Sequence, residues 1–184
     1  QRQMCIRDSL GNCALRQVYG MSRIPVYGPT VLGFRCDEGG RVRLFFRYAH
    51  GLHFSGTTPD SFGDEFAKSL PSLVRLPERS GFELAGADGV FHPAYAAIFV
   101  DCDIDDLVNA KVNVVDYNAT EFGIPINSRS IGTITLATPE VPAPVMMRYA
   151  WRSWGPAPLF NDNNLPAHPF KLDLTDHTDS DHAE

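Results

Sequence analysis

Short apolar segments separated by turn-forming residues dominate the chain from residue 21 onward. Candidate strands cover residues 30–36, 41–48, 81–86, 94–100, 111–117, 131–136 and 145–151. Segments of this length, without a further helical pattern between them, favour an all-β protein over a fold that alternates strands with helices. The sequence therefore predicts a mainly β fold, an antiparallel β-sandwich, with one short N-terminal helix.

A β-hairpin is predicted near the start of this region. Residues 37–40 read Asp-Glu-Gly-Gly, and two consecutive glycines suit a turn that needs positive φ angles. Residues 41–48 then alternate, with apolar side chains at every second position and three arginines among the others. This is the period of a half-buried strand, and we expect the arginines to lie on a solvated outer face.

The single helical pattern lies ahead of the strands. Leu10, Ala14, Leu15 and Val18 fall on one face at the period of an α-helix, and Gly20 follows where helices commonly end. Nothing before Leu10 supplies a credible helix start, so we interpret this segment as the end of a longer helix.

The two ends are not expected to belong to the folded domain. Residues 1–9 contain Met-Cys-Ile-Arg-Asp, which can be read as the translation of a sequencing adapter, so we set them aside as non-native. Residues 173–184 are acidic and poor in large side chains, so we expect a disordered tail. Residues 10–20 are then the helix end, and residues 21–172 are the β-sandwich domain.

The charge of the chain excludes some classes of partner. The formal net charge is -6, and five acidic residues of the tail, which has no Lys or Arg, account for most of it. A nearly neutral body argues against a protein that binds nucleic acid through phosphate contacts. No run of about 18 apolar residues is present, so membrane insertion through a helix is not expected.

Two motifs imitate the catalytic blocks of SGNH hydrolases without the required context. Residues 8–11 (Asp-Ser-Leu-Gly) resemble the G-D-S-L block that carries a nucleophilic serine, and residues 179–182 resemble the D-x-x-H block. Arg7 stands where the first glycine is required, and no strand-turn-helix pattern surrounds Ser9. A disordered tail cannot hold catalytic geometry, so we reject a triad built from Ser9 and His182.

Metal and cofactor patterns are incomplete. His50 and His53 have the spacing of two ligands but no third ligand follows at a suitable distance. Residues 101–106 begin like a calcium loop, but Asp106 stands at its glycine position and Val112 at its glutamate position. The sequence therefore predicts no metal and no cofactor.

Several blocks of the sequence resemble the sialate O-acetylesterase family. Residues 148–151 (RYAW), 159–161 (LFN) and 165–170 (LPAHPF) are similar to its closing R-Y-A-W, L-Y-N and G-L-P-A-x-P-F. Residues 81–91 (GFELAGADGVF) are similar to its G-F-x-I-A-G-A-D-x-x-F, and residues 26–30 (VYGPT) to its Y-x-G-P-x-Y connector.

The blocks occur in the family order over residues 10–172, with two departures. Phe160 replaces the usual tyrosine, and Asn164 stands where bacterial members often have glycine. The helix end at residues 10–20 falls where the last helix of the family's SGNH-type α/β domain should end.

The resemblance implies a serine esterase that is longer than this chain. In the family the nucleophilic serine, the oxyanion donors and the D-x-x-H block all lie upstream of the connector. No catalytic residue is therefore assigned here, and we expect the chain alone to be inactive. The implied reaction is hydrolysis of O-acetyl esters of sialic acid or related sugars without a cofactor. The implied partners are the acetylated sugar and the missing N-terminal domain, in an extracytoplasmic location.

The closing block contains the candidate contacts with substrate or with the missing domain. They are Arg148, Tyr149, Trp151, Trp154 and Phe170. Alternation along the strand predicts that Tyr149 and Trp151 share one face. Arg148 and Arg152 then fall on the other face. Packing of these aromatic side chains within the sandwich, or against the missing domain, is an alternative to direct sugar contact.

Two other functions remain open. A non-catalytic carbohydrate-binding β-sandwich would bind sugar through Trp151 or Trp154. A structural module that covers a catalytic domain would leave an apolar patch exposed beside residues 10–19.

Overall fold

β-strands form most of the regular structure in the computed structural model, which describes residues 2–21, 25–37, 39–55, 74–99, 113–114, 131–153 and 155–175. The two helices of these residues are α1 (Arg2–Gln17) and α2 (Pro77–Ser80). The strands are β1 (Thr30–Asp37), β2 (Arg41–Arg47), β3 (His53–Phe54), β4 (Val74–Arg75), β5 (Phe82–Ala85), β6 (Phe91–Pro93), β7 (Tyr95–Phe99), β8 (Asn113–Val114), β9 (Gly132–Ala137), β10 (Met146–Tyr149), β11 (Leu159–Phe160) and β12 (Phe170–Asp173).

The strands of the described residues form three sheets in which every pairing is antiparallel. The large sheet has the order β4-β7-β9-β2-β1-β8, the small sheet has the order β12-β10-β5-β6, and β11 pairs with β3. The predicted mainly β, antiparallel fold is confirmed.

One apolar core joins the large and small sheets. Leu44 and Phe46 of β2 belong to the same buried cluster as Met147 and Tyr149 of β10. Across the gap between the sheets, the rings of Phe46 and Phe170 meet edge to face with centroids 6.0 Å apart. Packing of two sheets over a shared core defines a sandwich, and burial of this apolar area is its main source of stability.

The predicted hairpin is confirmed. β1 and β2 pair up to Asp37 and Arg41, and Gly39 and Gly40 both have positive φ angles, of 81° and 75°. The expectation of a solvated outer face on β2 is wrong at its centre. Phe45 is 2% exposed, because the middle of the large sheet is buried on both faces.

The two helices differ from the sequence prediction in extent. The predicted helix after Leu10 is confirmed, and α1 also continues without a break over residues 2–9. The assignment of residues 1–9 to a non-native segment stays a prediction. The sequence analysis predicts no helix near residue 77, but Pro77 starts the four-residue helix α2 and Gly81 ends it with a left-handed φ of 74°.

The C-terminal boundary of the domain lies beyond the predicted one. Asp173 is the last residue of β12, and the backbone N–H of Leu174 donates to the carbonyl of Val145 at 2.8 Å. Leu174 is buried in the core, because strand pairing with β10 carries it there. The remaining residues 176–184 of the predicted tail, and the acidic segment 101–106, lie outside the described residues.

None of the helices in the described part of the chain is long and apolar enough to span a membrane.

We expect Gly28→Ala to destabilise the domain by about 3 kcal/mol, because overpacking against fixed backbone forces a shift. A Cβ on Gly28 would lie 2.0 Å from the carbonyl oxygen of Pro166. The measurement is the free energy of unfolding by urea, followed by circular dichroism.

The matched control is Gly11→Ala. A Cβ on Gly11 of α1 has nothing within 4 Å, so this change is expected to stabilise the helix. The gain is about 0.5–1 kcal/mol, which is the usual difference between glycine and alanine in a helix. Equal effects of the two substitutions would contradict the predicted packing of the connector.

Candidate functional site

A buried carboxylate on the outer face of the small sheet organises the closing block. Glu83 of β5 lies directly opposite Arg148 of β10, and its side chain is 8% exposed. Its two carboxylate oxygens accept hydrogen bonds from Arg148 Nε at 2.7 Å and from Arg152 Nη2 at 2.6 Å. Arg148 is further held over the ring of Phe91, with Cζ 4.0 Å from the ring centroid.

These contacts determine the ionisation of Glu83. Burial by itself raises the pKa of this carboxyl, since it disfavours the charged form. Hydrogen bonds and positive charge from Arg148 and Arg152 outweigh burial, so the pKa lies below its usual value of 4.5. Glu83 is therefore a carboxylate at neutral pH and acts as the anchor for both arginines.

The chain turns sharply after β10, and this corrects a sequence prediction. Ala150 has a left-handed φ of 51° and donates its N–H to the carbonyl of Gly81 at 2.9 Å. The turn ends the alternation, so the prediction that Tyr149 and Trp151 share a face is wrong. Tyr149 is fully buried, whereas Trp151 is 54% exposed. Arg148 and Arg152 do lie together, since both bind Glu83.

A cleft opens beside the exposed Trp151. Its empty space is about 340 Å³, including the open mouth. The residues lining it come from α2 and the adjoining glycine, from β5 and β6, and from the turn after β10. They are Pro77, Glu78, Gly81, Phe82, Glu83, Pro93, Ala150, Trp151, Arg152, Gly155 and Pro156. Apolar walls with a few charged groups are typical of small-molecule sites.

Two of the predicted contact residues belong to the core instead. Tyr149 stacks on Phe170 with ring centroids 5.6 Å apart and packs on Phe82 at 4.6 Å. The hydroxyl of Tyr149 accepts a hydrogen bond from the backbone N–H of Leu159 at 2.9 Å. Trp154 lies outside the described residues. Tyr149 is thus fully buried and Phe170 packs partly buried against the core, while Arg148 and Trp151 lie at the outer surface.

Asn161 is a key structural residue that the sequence reasoning did not single out. Its buried side chain donates to the carbonyls of Tyr27 at 3.0 Å and Tyr48 at 3.1 Å. Its side-chain oxygen accepts from the backbone N–H groups of Asn163 and Leu165, both at 3.1 Å. The amide therefore links the connector, the end of β2 and the closing loop. The sequence signal that could have identified Asn161 is its position in residues 159–161, the block that is similar to the family's L-Y-N.

Stacked side chains hold α1 and the connector at the edge of the sandwich. The rings of Tyr27 and Tyr48 stack with centroids 4.9 Å apart. Arg16 lies over Tyr27 at 5.7 Å and Arg47 lies over Tyr48 at 5.2 Å. The side chain of Asn12 donates to the carbonyl of Pro25 at 3.3 Å. Polar residues of α1 thus face the connector.

Apolar side chains are exposed on α1 and directly after it. Leu10 and Leu15 lie within α1, whereas Val18, Tyr19 and Met21 follow its end at Gln17. Val18 and Tyr19 are 74% and 72% exposed. Exposed apolar patches of this kind commonly mark a surface that another protein or domain covers. The patch predicted beside residues 10–19 for a module that covers a catalytic domain is present.

The rejected catalytic and metal patterns do not form a site in the described residues. Ser9 lies within helix α1, and His182 lies outside the described residues. His50 Nδ1 binds Asp162 Oδ2 at 2.6 Å, and His53 Nδ1 binds the carbonyl of Gly51 at 2.8 Å. Among these residues, no group of three or more His, Cys, Asp or Glu side chains is placed to hold a metal ion.

The fold has a solved counterpart. It is similar to the crystal structure of a novel carbohydrate acetylesterase from Xanthomonas citri, with a TM-score of 0.56 and 24% sequence identity. The match covers 91% of this chain and 27% of that chain, so this chain spans about a quarter of the neighbour's length. At this identity the likeness shows a shared fold. No protein-family profile matches the chain, and a search of curated proteins gave no match.

We expect Glu83→Gln to lower the free energy of unfolding at pH 7 by about 1–2 kcal/mol, because it removes charge from two hydrogen bonds. Since folding lowers the pKa of Glu83, its stabilisation is present above the unfolded value of 4.5 and is lost as pH falls through the folded value. The difference in stability between wild type and variant should therefore become smaller as the pH falls below 4.5. The measurement is urea unfolding at a series of pH values from neutral downward.

Glu78→Gln is the control for that substitution. Glu78 lines the same cleft but is exposed, so its replacement is expected to change stability by less than about 0.5 kcal/mol. A Glu83→Gln effect that does not decrease as the pH falls below 4.5 would contradict the proposed role of the charge.

Asn161→Ala is expected to cost about 3 kcal/mol, because it leaves two carbonyls and two N–H groups without their partner. Asn163→Ala should change stability by less than about 0.5 kcal/mol, since that side chain is exposed and bonds only Asp162. Thermal unfolding of both variants tests the difference. Similar losses from the two changes would rule out Asn161 as the link between the three segments.

Proposed function

We propose that this chain is the C-terminal β-domain of a serine-dependent carbohydrate O-acetylesterase similar to the sialate O-acetylesterases. The proposed reaction of the whole protein is hydrolysis of O-acetyl esters on sialic acid or a related sugar. The nucleophilic serine and the Asp/His pair would lie upstream of residue 10, in an SGNH-type domain. The proposed location is extracytoplasmic, as the family resemblance implies.

The observation that carries the proposal is the contact between the sequence blocks of the resemblance. Residues 26–30 meet residues 159–161 through Asn161, and Gly28 packs against the backbone of Pro166. Residues 81–91 pair with residues 148–151 through the strands β5 and β10. These blocks are far apart in the sequence but contact one another in the fold. Such contacts support a shared domain architecture rather than a chance similarity of short motifs.

The exposed face of α1 supports an interdomain role. The helix attaches to the sandwich through Asn12 and Arg16 and leaves Val18 and Tyr19 uncovered. We propose that the catalytic domain covers this face. The solved carbohydrate acetylesterase of similar fold is about four times longer than the matched region, which supports a domain within a larger enzyme.

A non-catalytic carbohydrate-binding module is the second candidate. The exposed indole of Trp151 at the edge of a cleft favours it. The two candidates differ in what the upstream gene encodes, since only the esterase requires a serine block and a D-x-x-H block before residue 10.

The test compares this 184-residue chain with the protein extended upstream from its genomic locus. Both are assayed for acetate release from p-nitrophenyl acetate and from O-acetylated sialic acid. We expect the extended protein to be active and the present chain to be inactive, because acyl transfer needs a serine, a base and oxyanion donors in one site.

The control is the extended protein with the upstream serine replaced by alanine, which should lose activity while remaining folded. Robust ester hydrolysis by the present chain alone would defeat the assignment of the catalytic groups upstream. An upstream sequence without the serine and D-x-x-H blocks would defeat the esterase proposal itself.

A further inference from the structure

We propose that the cleft beside Trp151 binds one pyranose unit of a saccharide, with the indole stacked on the sugar and Arg152 donating to its oxygens. The class of ligand is taken from the proposed carbohydrate esterase, so the inference rests on that function. It names the residues of the β-domain that would contact the sugar.

The backbone turn at Ala150 is the first support. A non-glycine residue in the left-handed region is sterically disfavoured, and such strain is concentrated at functional sites. Here the turn carries Trp151 out of the strand plane into solvent, directly after the fully buried Tyr149. If Trp151 served only to stabilise the fold, its side chain would be expected to be buried against its neighbours.

The fixed position of Arg152 is the second support. Its side chain is 61% exposed, yet Nη2 is held by a carboxylate that is itself 8% exposed. Arginine carries five N–H donors in a rigid fork, so the contact with Glu83 restricts the orientation of the other donors. A donor that is oriented before binding loses less entropy when a ligand arrives.

The residues that line the open cleft match the chemistry of a sugar. Trp151 supplies an aromatic face for the apolar C–H face of a pyranose. The prolines Pro77, Pro93 and Pro156 supply walls, and Arg152 supplies donors for hydroxyl or carboxylate oxygens.

The experiment is titration of the full 184-residue chain with cellohexaose and, separately, with N-acetylneuraminic acid. Binding is followed by calorimetry and by ¹H–¹⁵N NMR of the Trp151 indole and its neighbours. We expect a dissociation constant of about 1 mM or below for at least one sugar, with shifts confined to the cleft. The two probes distinguish a neutral sugar from one whose carboxylate binds Arg152.

Substitutions of Trp151 and Arg152 test whether these side chains contact the sugar. Trp151→Ala should weaken binding by about tenfold or more, and Trp151→Phe should restore part of it. Arg152→Lys keeps the charge but loses the planar fork, so a loss of about fivefold is expected, larger for the acidic sugar. Tyr19→Ala is the matched control, because Tyr19 is an exposed aromatic residue outside the cleft.

Three outcomes would overturn the inference. They are absence of binding of both sugars at about 20 mM, shifts located away from the cleft, and equal affinity for wild type and folded Trp151→Ala. If the extended protein hydrolyses acetyl esters in these cases, the proposed function stands and only this inference fails. Sugar binding in the cleft without any esterase activity would instead support the site and reject the proposed function.

Discussion

Packing of aromatic rings between the two sheets is the interaction on which the rest of this domain depends. The rings belong to Phe46, Phe82, Tyr149 and Phe170, with neighbouring centroids 4.6–6.4 Å apart. Because successive side chains of a strand point to opposite faces, burial of Phe82 turns Glu83 to the outer face, where it meets Arg148. Burial of Tyr149 likewise fixes the point at which the chain turns and exposes Trp151. The core thus positions the candidate site.

The same sequence blocks serve two purposes in the structure. Asn161 and Gly28 join the connector to the closing loop, which orients α1 against the sandwich. That attachment uses polar and aromatic contacts of Asn12, Arg16 and Tyr27, so the apolar face of α1 remains available to a neighbouring domain.

Much of the fold could be predicted from local sequence patterns, whereas the candidate site could be predicted only in part. The hairpin at residues 37–41, seven of the twelve described strands and the helix after Leu10 were predicted, since alternation and turn chemistry are local properties. The strands β3, β4, β6, β11 and β12 were missed, because they are too short to show a period. Helix α2 was missed, because a four-residue helix has no period to detect. The exposure of Trp151 was mispredicted, since strand alternation was extended through Ala150, whose left-handed φ angle depends on the N–H contact with Gly81.

Residue order alone specified a chain of short antiparallel strands, a neutral body and motifs that resemble a carbohydrate esterase. Those properties depend on side-chain type and on spacings of a few residues. Tertiary contacts decided that Tyr149 and Phe170 are core residues, that Glu83 joins two arginines, and that Asn161 links three distant segments. These roles depend on which faces of the two sheets come together when the sheets pack. Which face of a strand is buried is determined by the whole fold and not by the sequence of that strand alone.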